Sequence, residues 1–327
     1  MKNKILLFVV LLTFVIIPNL VSQSQSELSE KIKDETNPVT KLELLEQFKE
    51  KYSNEENLKT ILLQLSAVSF KAKKYAKTIE YAEKTLSDVP QLKDKEKIKI
   101  YLWLANAYYV TKSDSKKVIE YAEFCAELGK KLKGDKEKSK YTKKFIVPAL
   151  RIQAKLYVSD PDPERVILSV PVILEAYKLD KSRSNEKLIL DISKKLYNAK
   201  KYQEAVQCVE AIYNEEKPKR KYIDQLALCY NKLGDKAKAI EFYKKSYSMR
   251  STAKTACKLG IMYKKNTEQA IEFFADAFVL SGMRKRSKYY KYLRQLVYNV
   301  KMKGKPEPKQ NAYYEEVISA AKERTGK

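Results

Sequence analysis

Along most of the chain, apolar residues recur at intervals of three and four, the spacing of one helical face. The clearest run is Leu226-Ala227-Leu228-Cys229-Tyr230, where large, small and aromatic residues stand at offsets of zero, one and four. Gly234-Asp235 breaks the helix, and a second follows with Ala239, Tyr243 and Ser246 on its inner stripe. The figure returns as Leu259-Gly260 with Tyr263, then Ala270, Phe274 and Ala277. Upstream it reads Leu104-Ala105 with Tyr108, then Val118, Ala122 and Cys125, and also Leu65-Ser66, then Thr78, Ala82, Thr85 and Pro90. Weaker copies are Ala154 with Tyr157, then Val166, Val170 and Ile173, and Ile192-Ser193 with Leu196, then Ala205, Val209 and Ile212.

Two antiparallel helices approach closely only where one offers a small residue to the other's bulk. Ala227 or Gly260 is then the hole, and Tyr243 or Phe274 the knob. One such pair cannot hide its own apolar face, so several must stack. Composition agrees with an all-α chain: 7 glycines and 10 prolines in 327 residues are poor material for the tight turns of a β-fold, while 44% hydrophobic residues suffice for a sizeable core.

The helix pairs resemble the tetratricopeptide repeat (TPR), as six units over residues 57–282. Thr78-Ile79-Glu80-Tyr81-Ala82-Glu83-Lys84-Thr85-Leu86, ending at Pro90, looks like that family's second helix and terminator, and Lys236-Ala237-Lys238-Ala239-Ile240-Glu241-Phe242-Tyr243 matches best. The second-helix anchors Thr78, Val118, Val166, Ala205, Ala239 and Ala270 lie 40, 48, 39, 34 and 31 apart, whereas the family's period is 34. The first half must therefore carry longer helices or loops. The resemblance implies a right-handed α-solenoid of stacked antiparallel helix pairs, with first helices lining a concave face that binds an extended or helical peptide.

The flanks differ from the repeats. Lys2 and Lys4 precede an apolar run from Ile5 to Ile17, interrupted only by Thr13, and Pro18-Asn19 with Leu20 to Ser24 supplies an exit of small residues. This pattern predicts a secretory signal peptide over residues 1–24 and an exported protein, periplasmic or extracellular. An uncleaved membrane anchor is the alternative, and membrane contact is expected only through this segment. Residues 25–56 read as polar and acidic, with one helix from Val39 to Tyr52 behind Pro38. Residues 283–327 read as basic capping helices, the last from Asn311 to Lys322.

Charge and missing residues narrow the function. The net charge is +25, from 66 basic and 41 acidic residues, and only nine of the basic ones are Arg. That bias disfavours nucleic acid, whose recognition leans on bidentate Arg. Histidine is absent altogether, which removes the commonest general base and a frequent zinc ligand. Gly134-Asp135-Lys136 and Gly234-Asp235-Lys236 read as turns and not as phosphate loops. Cys125, Cys208, Cys229 and Cys257 stand where Ala, Val or Tyr would serve, as core thiols, with a Cys208–Cys229 or Cys229–Cys257 bridge as the alternative. No enzyme, cofactor or metal site is expected.

The candidate site is the groove. By alignment to the resembled family, the exposed first-helix positions are Lys187, Asp191, Lys194 and Asn198. The next unit supplies Lys221, Asp224, Gln225 and Asn231, and the one after supplies Lys254, Lys258 and Lys265. Lysine dominates, so an acidic protein segment or a chain's carboxylate end is the expected partner. A solvated lysine face is the simpler reading of the same residues. The lysine–asparagine clamp of the family's chaperone-binding branch is not expected, because Leu102 and Ile152 stand where it needs polar groups. The stretch Arg284–Tyr298 interleaves bases with tyrosines, which raises an anionic polymer or acidic membrane surface as the second reading. One shared stripe of Tyr289, Tyr292, Leu293, Leu296 and Val297 argues instead for a core-facing helix.

Overall fold

The computed structural model describes residues 24–132 and 139–327. The expected signal peptide, apart from its last residue Ser24, and the expected Gly134-Asp135-Lys136 turn lie outside the described residues. Among those described, regular structure is helical throughout, in two compact units divided after Tyr141.

The first unit begins with α1 (Gln25–Asp34) and α2 (Pro38–Tyr52), followed by two pairs. These are α3 (Glu55–Lys71) with α4 (Tyr75–Asp88), and α5 (Asp94–Thr111) with α6 (Ser115–Lys131). α1 had no counterpart in the sequence reading. Ser24 starts it with a capping box, its Oγ accepting from Glu27 N while the Glu27 carboxylate accepts from Ser24 N. Its Leu28 and Ile32 close the core formed by Leu42, Leu45, Ile61 and Leu65. α2 opens where the sequence places it, with Pro38 in its first turn behind the Asn37 cap.

The second unit enters through a wide π turn, Thr142–Ile146, into α7 (Val147–Ser159). Its partner is split into α8 (Pro163–Ile167) and α9 (Ser169–Leu179). Then come α10 (Arg183–Asn198) with α11 (Tyr202–Glu210), α12 (Arg220–Leu233) with α13 (Lys236–Met249), and α14 (Ala253–Met262) with α15 (Thr267–Leu280). α16 (Lys288–Leu296) continues through a π turn, Val297–Lys301, towards α17 (Glu307–Thr325), which is longer at both ends than the Asn311–Lys322 helix expected.

The six pairs expected from sequence are present, the helices of each packing on one another and consecutive pairs packing together within each unit. Within each unit this is the stacked helix-pair architecture of a TPR-like α-solenoid. The irregular spacing has a physical source. α3, α5 and α6 run 17, 18 and 17 residues, against 14 each for α12 and α13, and the third unit spends residues on the Asp160–Pro163 turn and a broken second helix.

The small position of the figure is buried in all six units: Ser66, Ala105, Ala154, Ser193, Ala227 and Gly260. Where serine fills it, the hydroxyl bonds across the pair. Ser66 Oγ lies 3.1 Å from Thr85 Oγ1, and Ser193 Oγ donates to the Ala205 carbonyl at 2.8 Å. A buried hydroxyl without such a partner would cost about 1–3 kcal/mol. The polar residue therefore costs little there and binds the two helices together.

A second recurring device joins consecutive pairs. Glu46 on α2 accepts from Tyr81 and Lys77 of α4, both at 2.6 Å. Glu83 on α4 accepts from Tyr108 of α5 at 2.6 Å and from Lys117 and Tyr121 of α6 at 2.6 and 3.2 Å. Glu186 on α10 accepts from Tyr222 and Lys219, at 2.7 and 2.6 Å. Burial works to raise these carboxyl pKa values, but the Tyr and Lys hydrogen bonds outweigh it and hold all three below the ordinary carboxylate range. At the C-terminal end, buried Asp276 accepts from Tyr247 at 2.9 Å and from Arg324 of α17 at 2.9 Å. That contact pins the last helix over the core of Phe274, Phe278, Leu293 and Val297. Tyr81, Tyr108, Tyr121, Tyr222 and Tyr247 thus serve as long reach-across donors.

Cys208, Cys229 and Cys257 are free, buried thiols, so neither bridge considered above forms. Burial pushes the thiols of Cys125 and Cys208 up to about 12 and that of Cys229 to about 11, values at which thiolate chemistry is negligible near neutrality.

Candidate functional site

All the candidate groove residues lie in the second unit. Lys187, Asp191, Lys194 and Asn198 occupy one stripe of α10 at intervals of four, three and four, and all are exposed. The opposite face, Ile189, Ile192 and Leu196, is fully buried, so the polar stripe is what α10 leaves to solvent. Lys194 Nζ and Asp191 Oδ1 are 3.5 Å apart, an exposed pair of little energetic weight.

α12 is divided differently. Lys221 and Asn231 are exposed, and Lys221 Nζ sits 4.9 Å from the Tyr222 ring centre. Asp224 is half-buried; it accepts from Ser246 of α13 and stands 3.7 Å from Arg220 Nε. Gln225 is not a groove residue. It is 6% exposed, and its Nε2 donates to Ser193 Oγ at 3.3 Å and to Cys229 Sγ. Alignment placed it one step too far round the helix, and the polar character that suggested solvent is used against the serine of the neighbouring pair.

Lys254 of α14 and Lys265 in the turn after it are exposed, whereas Lys258 of α14 is half-buried with its Nζ 4.9 Å above the Tyr243 ring. Burial, then the neighbouring Lys254 charge, lower its pKa, and Asp224 partly offsets them. The structure therefore brings Asp224, Tyr243 and Lys258 together where α12, α13 and α14 meet. The four α10 residues and Lys221 remain separate, outward-facing groups.

The basic stretch that follows splits between core and solvent. Leu293 and Val297 are buried as expected, but Tyr292 is 39% exposed and leaves the stripe assigned to it. It leans on Phe274, ring centres 5.1 Å apart. These rings, with Ile261 and Leu296, wall a cleft of about 310 Å³ between α14 and α16. Sequence reasoning missed it by taking α16 for a cap, and no single helix reveals it, because its lining comes from α14, α15 and α16 together.

In the first unit a wider cleft of about 610 Å³ is floored by Ile32, Leu45, Phe48, Ile61 and Val68. Among the described residues no group of three or more His, Cys, Asp or Glu could hold a metal ion, and no helix is long and apolar enough to cross a membrane.

No protein-family model and no curated protein matches the chain. Solved structures do. The C-terminal part of a TPR repeat-containing protein from Cytophaga hutchinsonii is similar over 83% of this chain and 99% of its own, at 12% identity and a TM-score of 0.46. A tetratricopeptide repeat protein from Parabacteroides merdae is similar over 84% and 99%, at 17% identity and a TM-score of 0.39. A Rap protein complexed with Competence and Sporulation Factor is similar over 91% and 88%, at 13% identity and a TM-score of 0.31.

Proposed function

We propose that this chain is an exported adaptor that holds an acidic segment of a partner protein along the first-helix face of its second unit. The observation that carries the reading is the division of labour on α10, α12 and α14. One side of each is spent on the core, and the other presents Lys187, Lys194, Lys221 and Lys254 to solvent, with Lys265 exposed in the turn after α14. Their charge favours an acidic occupant and speeds its encounter. Binding is proposed in place of catalysis because a chain without histidine lacks the commonest general base. Export rests on the basic start and apolar run of residues 1–24; N-terminal sequencing of protein recovered outside the cytoplasm tests that part.

The groove is tested by affinity capture with the full chain and with a Lys187→Glu, Lys194→Glu, Lys221→Glu, Lys254→Glu variant of unchanged helicity. The variant should lose the captured protein. Equal capture by both would sink the reading, and capture of an anionic polymer instead of a protein would replace it.

A further inference from the structure

The slot between α14 and α16 is the part of the surface best shaped to choose among acidic partners. Its walls are apolar: Ile261, Phe274, Tyr292 and Leu296. Two of them are unusually open for their type, Ile261 at 52% and Tyr292 at 39%. Gly260 lines the slot where α14 packs flat against the Phe274 ring, to which an added Cβ would come at 3.0 Å.

Its position continues the proposed groove. Lys254, Lys258, Ile261 and Lys265 are spaced four, three and four apart, one stripe of α14 and the stretch just after it. The two segments that form its rim are basic, whereas α15 behind it carries Glu268 and Glu272, which pair with Lys301 and Arg324. Residues 253–266 contain four lysines and no acid, and residues 283–306 contain nine basic residues and no acid. The polar residues of the lining, Lys264 and Gln295, are both exposed. A volume of about 310 Å³ stands at the lower end of ligand pockets and suits one large side chain better than a whole small molecule.

We infer that this slot takes a single bulky apolar side chain of a partner segment whose flanking residues are aspartate or glutamate. The inference rests on the groove reading above and adds to it the anchor that lysines alone do not supply. Exposed charges steer association and are weakened by salt, whereas a buried apolar anchor slows dissociation and survives salt.

Random twelve-residue peptides displayed on phage, selected at physiological salt on the full chain, test it. Enriched peptides should carry one Leu, Ile, Met or Phe among acidic residues. A synthetic copy of the best of them should bind the Ile261→Ser, Tyr292→Ala variant about tenfold or more weakly, and replacing its apolar residue by Ser should cost a similar factor. Both substitutions are at exposed positions, and unchanged helicity and melting confirm an intact fold. Enrichment of peptides without an acidic or apolar signature, equal binding to the variant, or no enrichment would each overturn the slot. If the synthetic peptide ignores the slot variant yet loses binding to the α10–α14 lysine reversals, the slot fails and the groove stands. If it ignores both, the groove reading fails as well.

Discussion

Gly260 of α14 lies flat against the Phe274 ring of α15: a Cβ added there would sit 3.0 Å from ring atoms Cδ1 and Cε1 and 3.1 Å from Cδ2. Here the small position of the figure meets a large side chain at van der Waals contact. Alanine gains about 1 kcal/mol of helix propensity over glycine, but here its methyl must displace the ring. Gly260→Ala should therefore be close to neutral, and Gly260→Val should destabilise by about 1–3 kcal/mol through overpacking. Denaturant unfolding measures both. Adding Phe274→Leu to Gly260→Val should recover part of the loss; additive losses would mean that the two residues do not share this contact.

Glu83 makes stability depend on acid pH in a stated direction. Its folded pKa lies below the ordinary value because hydrogen bonds from Lys117 and Tyr108 outweigh burial. Its contribution is then fully present above the unfolded carboxylate pKa of about 4.3 and lost as pH falls through the lower folded one. Glu83→Gln should lower the melting temperature near neutrality, and the gap from wild type should close towards pH ~3. A gap that stays constant with pH would remove the carboxylate from the account. A double-mutant cycle of Glu83→Gln with Tyr108→Phe should show coupling of about 1–2 kcal/mol, as for hydrogen bonds to charged acceptors.

Lys73 and Lys200 hold equivalent places at the ends of α3 and α10, and both have left-handed backbone, φ 57° and 64°. Gly234 fills the corresponding place after α12 with φ 86°. A lysine there bears a backbone cost that glycine avoids. Lys200→Gly should stabilise the protein by about 0.5–1 kcal/mol, read as a rise in the denaturation midpoint. A fall would show that the lysine side chain does more than fill the turn.

The paired-helix fold was legible because its cause is local: small, large and aromatic residues at fixed offsets say which faces touch. Gly260 and Phe274 were identifiable as hole and knob from spacing alone. α1 was not, because only Leu28 and Ile32 of its ten residues are buried, too sparse a stripe to stand out in an acidic segment. Of the candidate residues, exposure was legible only in part. On α10 each polar candidate faces water, since nothing packs over that stripe. Gln225 and Lys258 depart because a neighbouring pair supplies what no single helix reveals, a serine hydroxyl for one and a tyrosine ring for the other. The tyrosine–carboxylate ties were invisible for the same reason: Glu186 and Tyr222 are 36 residues apart and meet only once the pairs are stacked.

The central claim is that a partner lies on the first-helix face of the second unit. A photo-crosslinking side chain tests it directly when placed singly at Asn198 or Asn231 on that face, or at Gln207 or Lys244, which are exposed on the second helices α11 and α13. Crosslinks to one protein from Asn198 and Asn231, with none from Gln207 and Lys244, are the predicted result. Crosslinks from the second-helix positions alone would contradict it.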